Sequence, residues 1–317
     1  MLLILTNSSD ATADYVCRRL AGEGIDYFRL DTDLCAGVLR LRLAEGRVTL
    51  LTEEAPLEPE RIRDVWLRRP KPIQVPFNGD TGGSAHTRAE WSEALEGFLA
   101  EVPEQIWMNH PARNAIASHK IEQLTRARRM GLLTPETLVT QSENEAREFF
   151  YQCHGQVIVK PLAFGYIERS DANQDTILYT NRISESNLPD LAAVTRSPTL
   201  LQREIQKEQD IRVTIVDRDV HAVGLIAKHS DARQRVDIRR NNMSGVEYCS
   251  LEVPKDIRES LLSFHASYGL RFSAIDLAID KHNNWIFFEI NPNGQWAWTD
   301  LLGITDIAKS FIKSFHR

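Results

Sequence analysis

Three side chains with oxygen ligands, Asp276, Glu289 and Asn291, lie in two apolar runs that are separated by a short polar break. This pattern predicts a β-hairpin, in which successive side chains alternate between two faces. If Lys281 pairs with Asn284, the same register places Asp276 opposite Glu289, with Asn291 on the same face. Two facing carboxylates repel each other unless a cation lies between them. Because Mg²⁺ prefers hard oxygen ligands, the sequence predicts a magnesium site here.

The other face of the predicted hairpin is apolar. The alternative to a metal site is an acidic face that is merely solvated, since carboxylates usually stay exposed. We favour the metal site because Trp285 and Phe287 are predicted to share the acidic face, and because Pro292 ends the strand beside Asn291. The predicted apolar face consists of Ile275, Leu277, Ile279, Ile286, Phe288 and Ile290.

Composition excludes several classes of protein. With 317 residues, 42% hydrophobic and 26% charged, the chain is long enough for two or three compact units of a globular enzyme. A net charge of -6 gives no reason to expect nucleic acid as a partner. No stretch is long enough for a membrane span, and Leu2–Leu5 is too short for a signal peptide. The scattered cysteines predict neither zinc nor disulfides but thiols in the cytoplasm; they are Cys17, Cys35, Cys153 and Cys249.

The first 30 residues predict a β-α-β unit. The strands are predicted at Leu2–Leu5 and Tyr27–Leu30, and the helix at Ala11–Ala21. The unit has no G-x-G-x-x-G, so a dinucleotide site is not expected and an α/β scaffold is favoured. Further helices are predicted at 88–101, 118–130, 254–268 and 303–315.

At the hairpin the chain resembles a known family. Asp276 and the segment Phe288–Trp296 are similar to the metal-binding end of ATP-grasp ligases. The sequence Asn291-Pro-Asn-Gly-Gln-Trp296 resembles the subgroup that matures graspetides, the microviridin-type ribosomal peptides. The resemblance implies an α/β plus α+β protein: an ATP-grasp fold over 111–317, with subdomains of about 111–198 and 199–317, after an N-terminal α/β pre-ATP-grasp domain over 1–110.

Two adjacent arginines, Arg68 and Arg69, follow a strand that is predicted to begin at Asp64. Adjacent arginines are usually solvated surface charge. The end of a strand in an α/β sheet is, however, where ligands tend to bind, and Trp66-Leu-Arg-Arg-Pro70 resembles a motif of the graspetide ligases. We therefore predict that Arg69, together with Arg68, binds a substrate carboxylate through a bidentate guanidinium pair.

Two lysines match the nucleotide-contacting lysines of the family. Lys120 lies near the start of a predicted helix, and Lys160 ends a short β-branched strand and precedes a proline. The resemblance implies that both neutralise phosphate charge. The loop after Lys160 departs from the family pattern, because it has one glycine, Gly165, where many ATP-grasp enzymes have a glycine-rich flap.

The segment 200–213 resembles the nucleotide-binding linker and strand of the family. The alternative is an ordinary charged hairpin turn over 206–210. The resemblance implies that ATP is bound by Gln202, by the backbone of Glu204 and Ile205 at adenine, by Glu208 at ribose and by Arg212 at phosphate. Arg240, in an arginine pair with Arg239, is implied as a further phosphate contact, and Lys160, Arg212 and Arg240 are the predicted catalytic cations.

The resemblance implies an ATP-dependent ligase that closes side-chain ω-ester or ω-amide rings in a ribosomal precursor peptide, with ATP and Mg²⁺ as cofactors. The precursor is expected to have a leader and a core, and the leader is expected to dock near 206–212, away from the metal; a homodimer is left open. One alternative is a ligase that joins small molecules such as amino acids or dipeptides, since fold alone does not fix the acceptor. Another is a nucleotide-binding regulator without turnover.

Overall fold

The computed structural model describes residues 1–34, 36, 39–52, 56–77, 79–163, 165–167, 176–227 and 232–315. Its strands are β1 (Leu2–Thr6), β2 (Tyr27–Asp31), β3 (Arg40–Ala44), β4 (Arg47–Leu51), β5 (Asp64–Leu67), β6 (Trp107–Met108), β7 (Thr137–Thr140), β8 (Val157–Lys160), β9 (Tyr166–Ile167), β10 (Thr176–Ile177), β11 (Asn181–Ile183), β12 (Thr199–Arg203), β13 (Lys207–Val216), β14 (Asp219–Ala227), β15 (Val246–Ser250), β16 (Phe272–Asp280) and β17 (Trp285–Asn291). Its α-helices are α1 (Ala11–Gly22), α2 (Thr81–Ala100), α3 (Pro111–Ala117), α4 (Lys120–Arg129), α5 (Glu143–Gln152), α6 (Ala232–Val236), α7 (Lys255–Ala266), α8 (Ala297–Leu301) and α9 (Ile307–Ser314).

The N-terminal part is built on a parallel sheet with the strand order β2-β1-β5-β6. The predicted β-α-β start is confirmed. The carboxylate of Asp10 begins α1 by accepting the backbone N–H groups of Thr12 and Ala13, as expected of an N-cap residue. Because β1 and β5 are parallel neighbours, they end at the same edge of the sheet, and Arg68 follows directly after β5.

Two larger antiparallel sheets follow the N-terminal sheet, and β3–β4 and β9–β10 form two small antiparallel pairs. One of the larger sheets has the order β11-β8-β12-β7, and the other has the order β15-β14-β13-β16-β17. The strand Thr199–Arg203 pairs with β7 and β8 and thus belongs to the first of these sheets. The domain limits near 110 and 198 stay predictions.

The β16–β17 hairpin has the predicted facing carboxylates but a different turn. Asp276 pairs with Glu289, as the sequence predicts. The predicted pairing of Lys281 with Asn284 is wrong, because the N–H of Asp280 donates to the Asn284 carbonyl at 3.1 Å. The turn is therefore closed one residue earlier on β16 than expected.

A β-bulge at Phe288 reconciles the two registers, since Leu277 pairs with Phe287 while the preceding residue pairs with Glu289. The bulge reverses the direction of the side chains before it. Trp285 and Phe287 are buried in the core of the sheet, so the prediction that they share the acidic face is wrong. Phe288 lies on the acidic face instead, with its ring centroid 5.9 Å from Nζ of Lys160.

Three predicted helices differ in their limits. The helix predicted at 88–101 begins at Thr81, and the helix predicted at 118–130 corresponds to α4, which begins at Lys120 and follows a separate helix, α3. The last helix begins at Ile307 rather than 303, because the Asp300 carboxylate accepts the N–H groups of Ile307 and Ala308. No helix in the part of the chain that the structure describes is long and apolar enough to cross a membrane.

One hydrophobic core joins the N-terminal sheet to α8 and α9. Phe311 is fully buried and lies at its centre. Its ring centroid is 4.9 Å from that of Trp296 in a stacked geometry, and 5.2 Å from those of Trp66 and Phe272. Trp296 follows the loop after the β16–β17 hairpin, so this core fixes that hairpin against the N-terminal domain.

Replacing Phe311 by Ala should lower the free energy of unfolding by about 3–5 kcal/mol, because a fully buried ring leaves a cavity among three aromatic neighbours. Urea denaturation measures this loss. The matched control is Leu301→Ala, at a residue that is 69% exposed, where a change within about 0.5 kcal/mol is expected. Equal effects of both substitutions would contradict the central position of Phe311.

Candidate nucleotide and metal site

Three charged side chains form a row across β13, β16 and β17. Arg212 is in register with Asp276, and Asp276 is in register with Glu289. Side chains directly opposite each other in a sheet point to the same face. The Nε of Arg212 lies 3.2 Å from Oδ1 of Asp276. One cation and two carboxylates are thus held together on one face by backbone pairing alone.

Asn291 ends β17 and supplies a neutral oxygen to the same site. Its Oδ1 accepts the backbone N–H of Asn293 at 2.9 Å. An amide oxygen has two lone pairs, so it can bind a metal as well. No cluster of three His, Cys, Asp or Glu side chains occurs among the described residues, as expected for two carboxylates and one amide. These hard oxygen donors fit Mg²⁺.

The electrostatics of the two carboxylates differ. Burial raises the pKa of Asp276 to about 7, and although Arg212 opposes the shift, Glu289 adds to it. Burial also acts to raise the pKa of Glu289, but nearby cations, led by Lys160 and Lys120, outweigh it and leave that pKa below its usual range. Glu289 thus adds to the cost of a charged Asp276 in a desolvated place, and a divalent cation would relieve that cost.

The two predicted lysines converge on this face. Burial lowers the pKa of Lys160 and that of Lys120, and in both cases the charge of Glu289 opposes the shift. Nζ of Lys120 donates to the carbonyls of Pro161, Leu162 and Ala163 at 2.9, 3.1 and 3.3 Å. Lys120 therefore holds the start of the loop that follows Lys160. Phe164 in this loop lies outside the described residues.

All these groups line one cleft of about 1420 Å³ between the two antiparallel sheets. Gln202 also lines it and is fully buried. The Nε2 of Gln202 donates to Oγ1 of Thr137 at 2.9 Å, whereas its Oε1 has no hydrogen-bond partner. A buried, unpaired oxygen in a ligand cleft is suited to a donor such as an aromatic amino group.

Of the other residues predicted to contact the nucleotide, two line the cleft and one does not. Glu204 and Ile205 line the cleft. The N–H of Glu204 donates to the Gln156 carbonyl at 2.9 Å, and its carboxylate is paired with Arg182, so an adenine contact would use other backbone groups of this segment. Glu208 is exposed and is not among the described residues that line the cleft.

Lys207 and Asp210 line the cleft in place of Glu208. Nζ of Lys207 lies 2.6 Å from Oδ1 of Asp210. Sequence reasoning missed this pair, because regular alternation places Lys207 and Asp210 on opposite faces of a strand, whereas the register of β13 shifts between Lys207 and Gln209. The turn expected at 206–212 is wrong, because 207–212 lies in β13, which pairs with β16; the docking of a leader near this segment stays a prediction.

Arg239 rather than Arg240 faces the cleft. The carboxylate of Asp237 holds Arg239, with Oδ2 2.6 Å from Nη2, and raises its pKa, while Glu289 and Asp276 contribute in the same direction. Arg240 donates instead to Oδ1 of Asn181 at 2.5 Å, outside the main cleft. The predicted phosphate contact of Arg240 is thus better placed on its neighbour.

Arg68 and Arg69 also separate. Arg68 is 1% exposed and forms an ion pair with Asp10 at 3.3 Å. It donates to protein carbonyls rather than facing the cleft, so the structure does not support its predicted substrate contact. Arg69 lines the cleft, and burial lowers its pKa, an effect that Asp10 opposes and Arg212 reinforces. Its substrate role stays a prediction.

Comparisons with known proteins agree with this architecture. The model of the MvdD pre-ATP-grasp domain matches residues 1–115. No curated protein sequence matches the chain. Among solved structures, a RiPP-associated ATP-grasp ligase from Chryseobacterium gregarium, in complex with ADP and a leader and core peptide, is 27% identical, with a TM-score of 0.86 over 98% of this chain and 95% of that one.

Two macrocyclases from Microcystis aeruginosa are similarly alike. MdnB is 25% identical, with a TM-score of 0.80 over 99% of this chain and 98% of that one. MdnC, bound to the precursor peptide MdnA, is 23% identical, with a TM-score of 0.85 over the same shares of the two chains. The predicted ATP-grasp fold and the predicted resemblance are confirmed.

Asp276→Asn and Glu289→Gln should each lower turnover with Mg²⁺ and nucleotide at least about a hundredfold, because each removes a charged metal ligand. Their effects on the stability of the metal-free protein should be opposite. At about pH 8, Asp276→Asn should raise the free energy of unfolding, since the raised pKa of Asp276 means that its charge costs stability above that pKa.

Glu289→Gln should lower the free energy of unfolding under the same conditions, since a lowered pKa means that the charged form is stabilised by the folded protein. Urea denaturation without divalent ions measures both effects, and near-wild-type turnover of either variant would contradict the metal assignment. Asp219→Asn, at a residue with 44% of its side chain exposed, is the control.

Proposed function

We propose that this chain, an ATP-grasp ligase with an N-terminal pre-ATP-grasp domain, is an ATP-dependent peptide macrocyclase. It joins a side-chain carboxylate of a ribosomal peptide to a side-chain hydroxyl or amine and thereby forms an ω-ester or ω-amide ring. The observation that carries the proposal is the row of Arg212, Asp276 and Glu289 in a cleft that Lys120 and Lys160 also line. The likeness to peptide-bound ligases over almost the whole chain supports a peptide acceptor.

In the first step an oxygen of the peptide carboxylate bonds to the γ-phosphorus of ATP, and the bond to the β-phosphate oxygen breaks to release ADP. In the second step the hydroxyl or amine bonds to the carbonyl carbon of the acylphosphate. The carbon–oxygen bond to phosphate then breaks, and the proton of the nucleophile leaves with phosphate. Neither step needs a nucleophile from the protein.

The protein contributes position and charge. Mg²⁺, held by Asp276, Glu289 and Asn291, supplies charge stabilisation at the phosphates when bound. Lys160 and Arg212 face the same space and offset the charge of the transferred group. Burial strengthens these interactions, because the desolvated lysine has few competing water contacts.

The adenine end of ATP is proposed to lie at Gln202. The unpaired Oε1 of Gln202 would accept the adenine amino group, and the backbone near Glu204 and Ile205 would complete the contact. Arg239 takes the phosphate-contacting role that the sequence assigned to Arg240. The ribose contact, assigned to Glu208 from the resemblance, is moved to the pair Lys207–Asp210 on the cleft side of β13.

The peptide carboxylate is proposed to bind Arg69. This arginine comes from the N-terminal domain, yet it lines the cleft and its Nη2 lies 3.1 Å from the Asn293 carbonyl, close to the metal hairpin. Its guanidinium charge also acts on Arg212 across the site. An arginine at this place can hold a carboxylate next to the transferred phosphoryl group.

A small-molecule ligase is the weaker alternative. D-cycloserine synthetase DcsG shares the fold at a TM-score of 0.60 and 16% identity, which is a more distant likeness than those of the peptide ligases. A leader-and-core precursor, a homodimer and a cytoplasmic location belong to the same proposal. The peptide complexes of the similar structures support the precursor, and the free thiols of Cys17, Cys153 and Cys249 support the cytoplasmic location, whereas the homodimer is left open.

The direct test is incubation of the protein, ATP and Mg²⁺ with a peptide that has Asp or Glu and Ser, Thr or Lys side chains. The natural candidate is a short open reading frame next to the gene. ADP release should depend on the peptide carboxylates, and the product should lose the mass of one water for each ring. Release of ADP that is independent of peptide, or ligation of free amino acids only, would contradict the macrocyclase.

Lys160→Ala should weaken ATP binding at least about tenfold, because it removes a buried phosphate cation. Arg69→Ala should leave the affinity for metal-free ATP unchanged and lower kcat/KM for the peptide about a hundredfold, because Arg69 is proposed to bind the acceptor and otherwise contacts the Asn293 carbonyl rather than the nucleotide. Calorimetry of ATP binding and peptide kinetics separate the two effects. Arg63→Ala, at an exposed residue of the same domain, is the control. If Arg69→Ala loses as much ATP affinity as Lys160→Ala, the assignment of ATP to Lys160 and of the peptide to Arg69 is wrong.

Gln202→Glu should weaken ATP binding less than Gln202→Leu, because the carboxylate keeps an acceptor for the adenine amino group. The loss for Gln202→Leu should be about tenfold, the value of one buried hydrogen bond. GTP, which presents a carbonyl instead of an amino group, should bind wild type poorly. Calorimetry with ATP and with GTP measures these affinities. Unchanged ATP affinity in Gln202→Leu would contradict the placement of adenine at Gln202.

A further inference from the structure

The buried Arg68 is a charged link between the N-terminal domain and the loop that follows the β16–β17 hairpin. It is 1% exposed, and Asp10, its ion-pair partner, is 6% exposed. Nη1 of Arg68 donates to the carbonyls of Asn293 and Gly294 at 2.7 and 3.1 Å, and Nη2 donates to Oε1 of Gln295. All three acceptors lie in the loop that directly follows β17 and its last residue, the metal ligand Asn291.

Groups of the N-terminal domain hold Arg68 and its acceptor loop in place. Asp10 accepts the hydroxyl of Thr6 at 2.9 Å and caps α1, so its position is fixed by β1 and by the helix. Thr12, in the first turn of that helix, donates its hydroxyl to Gln295 at 2.8 Å. The charge of Arg68 is thus neutralised within its own domain, which leaves its remaining N–H groups for the hairpin loop.

The backbone of Asn293 connects these contacts of Arg68 to the metal ligand Asn291. Its carbonyl accepts from Arg68 and also from Arg69, whose Nη2 is 3.1 Å away. Its N–H donates to Oδ1 of Asn291 at 2.9 Å. The N–H and the carbonyl belong to two adjacent peptide planes that meet at the Cα of Asn293, so holding the carbonyl restrains, through the φ and ψ of one residue, the N–H that orients the ligand oxygen.

The loop has little freedom to adopt another position. Gly294 lies so close to β16 that an added Cβ would be 2.3 Å from Cβ of Ala274. Asn109 donates to the Pro292 carbonyl at 2.9 Å from the other side. The loop is therefore held between β16 and the N-terminal domain, and Arg68 is the fully buried one of two arginines at that contact, the other being Arg69.

We propose that Arg68 is a positioning residue that orients Asn291 for Mg²⁺ through the backbone of Asn293. It touches neither the metal nor the substrate. The inference rests on the proposed function, since it assumes that Asp276, Glu289 and Asn291 bind the metal. It gives the N-terminal domain a part in nucleotide–metal binding that is separate from the acceptor role of Arg69.

The test uses Arg68→Lys in the full chain. Lysine keeps the charge beside Asp10 but lacks the planar fork that reaches several acceptors at once. Binding of Mn²⁺, a spectroscopic substitute for Mg²⁺, is measured by electron paramagnetic resonance with saturating ADP. Loss of an outer-shell contact typically weakens metal affinity about 10–100-fold, and a loss in this range is expected. Affinity for ADP without metal should not change.

Arg271→Lys is the matched control. Arg271 also joins the two parts of the protein, with 3.5 Å to Asp64 and 3.0 Å to Asp217, and its side chain is 20% exposed. It donates no side-chain hydrogen bond to the loop 292–295. Its lysine variant should keep wild-type Mn²⁺ affinity, and an equal loss in both variants would show a general effect of loosening the domains and overturn the proposal.

If Arg68→Lys does not fold, as judged by its thermal unfolding curve, the double variant Asp10→Asn/Arg68→Gln removes both buried charges together and avoids an unpaired one. It should show the same loss of Mn²⁺ affinity. Wild-type affinity in whichever of the two variants folds would overturn the proposal. Failure of the wild-type protein to bind Mn²⁺ with ADP would instead contradict the proposed function, so the two failures are distinguishable.

Discussion

Two carboxylates that face each other on paired strands set the electrostatics of the cleft. Backbone pairing fixes Asp276 beside Glu289, so neither can move away from the other. Their charges are balanced by cations from different elements: Arg212 from the neighbouring strand, Lys160 from the other antiparallel sheet and Arg239 from the segment after α6. The cleft is thus a site with excess negative charge at one point and positive charge around it, which suits a divalent cation bound to polyphosphate.

The sequence predicts the parts of this site that follow from strand alternation and from motif. The facing of Asp276 and Glu289 could be predicted from the pairing of Lys281 with Asn284 only because the bulge at Phe288 offsets the one-residue shift of the turn. The turn and the facing of Trp285 and Phe287 could not, because one unpaired residue at Phe288 reverses the alternation and nothing in its side chain distinguishes a bulge from a regular strand position.

Long-range contacts account for the other differences. The sequence shows that Arg68 and Arg69 are adjacent, but only the packing of the two domains decides that one is buried against Asp10 and the other faces the cleft. The same holds for Arg239 and Arg240, which the Asp237 carboxylate separates. Motifs therefore identified short segments that line the cleft, whereas the choice between neighbouring residues within them required the tertiary structure.

The hydrophobic core around Phe311 has a consequence for synthesis on the ribosome. The N-terminal sheet contributes Trp66 to this core, but α9, which covers it, begins only at Ile307. At 5–20 residues per second, roughly 10–50 s separate the emergence of these two elements. During that interval the first domain presents an uncovered apolar face, so α9 acts as the last piece to close the molecule, and chaperones are expected to bind the nascent chain until it arrives.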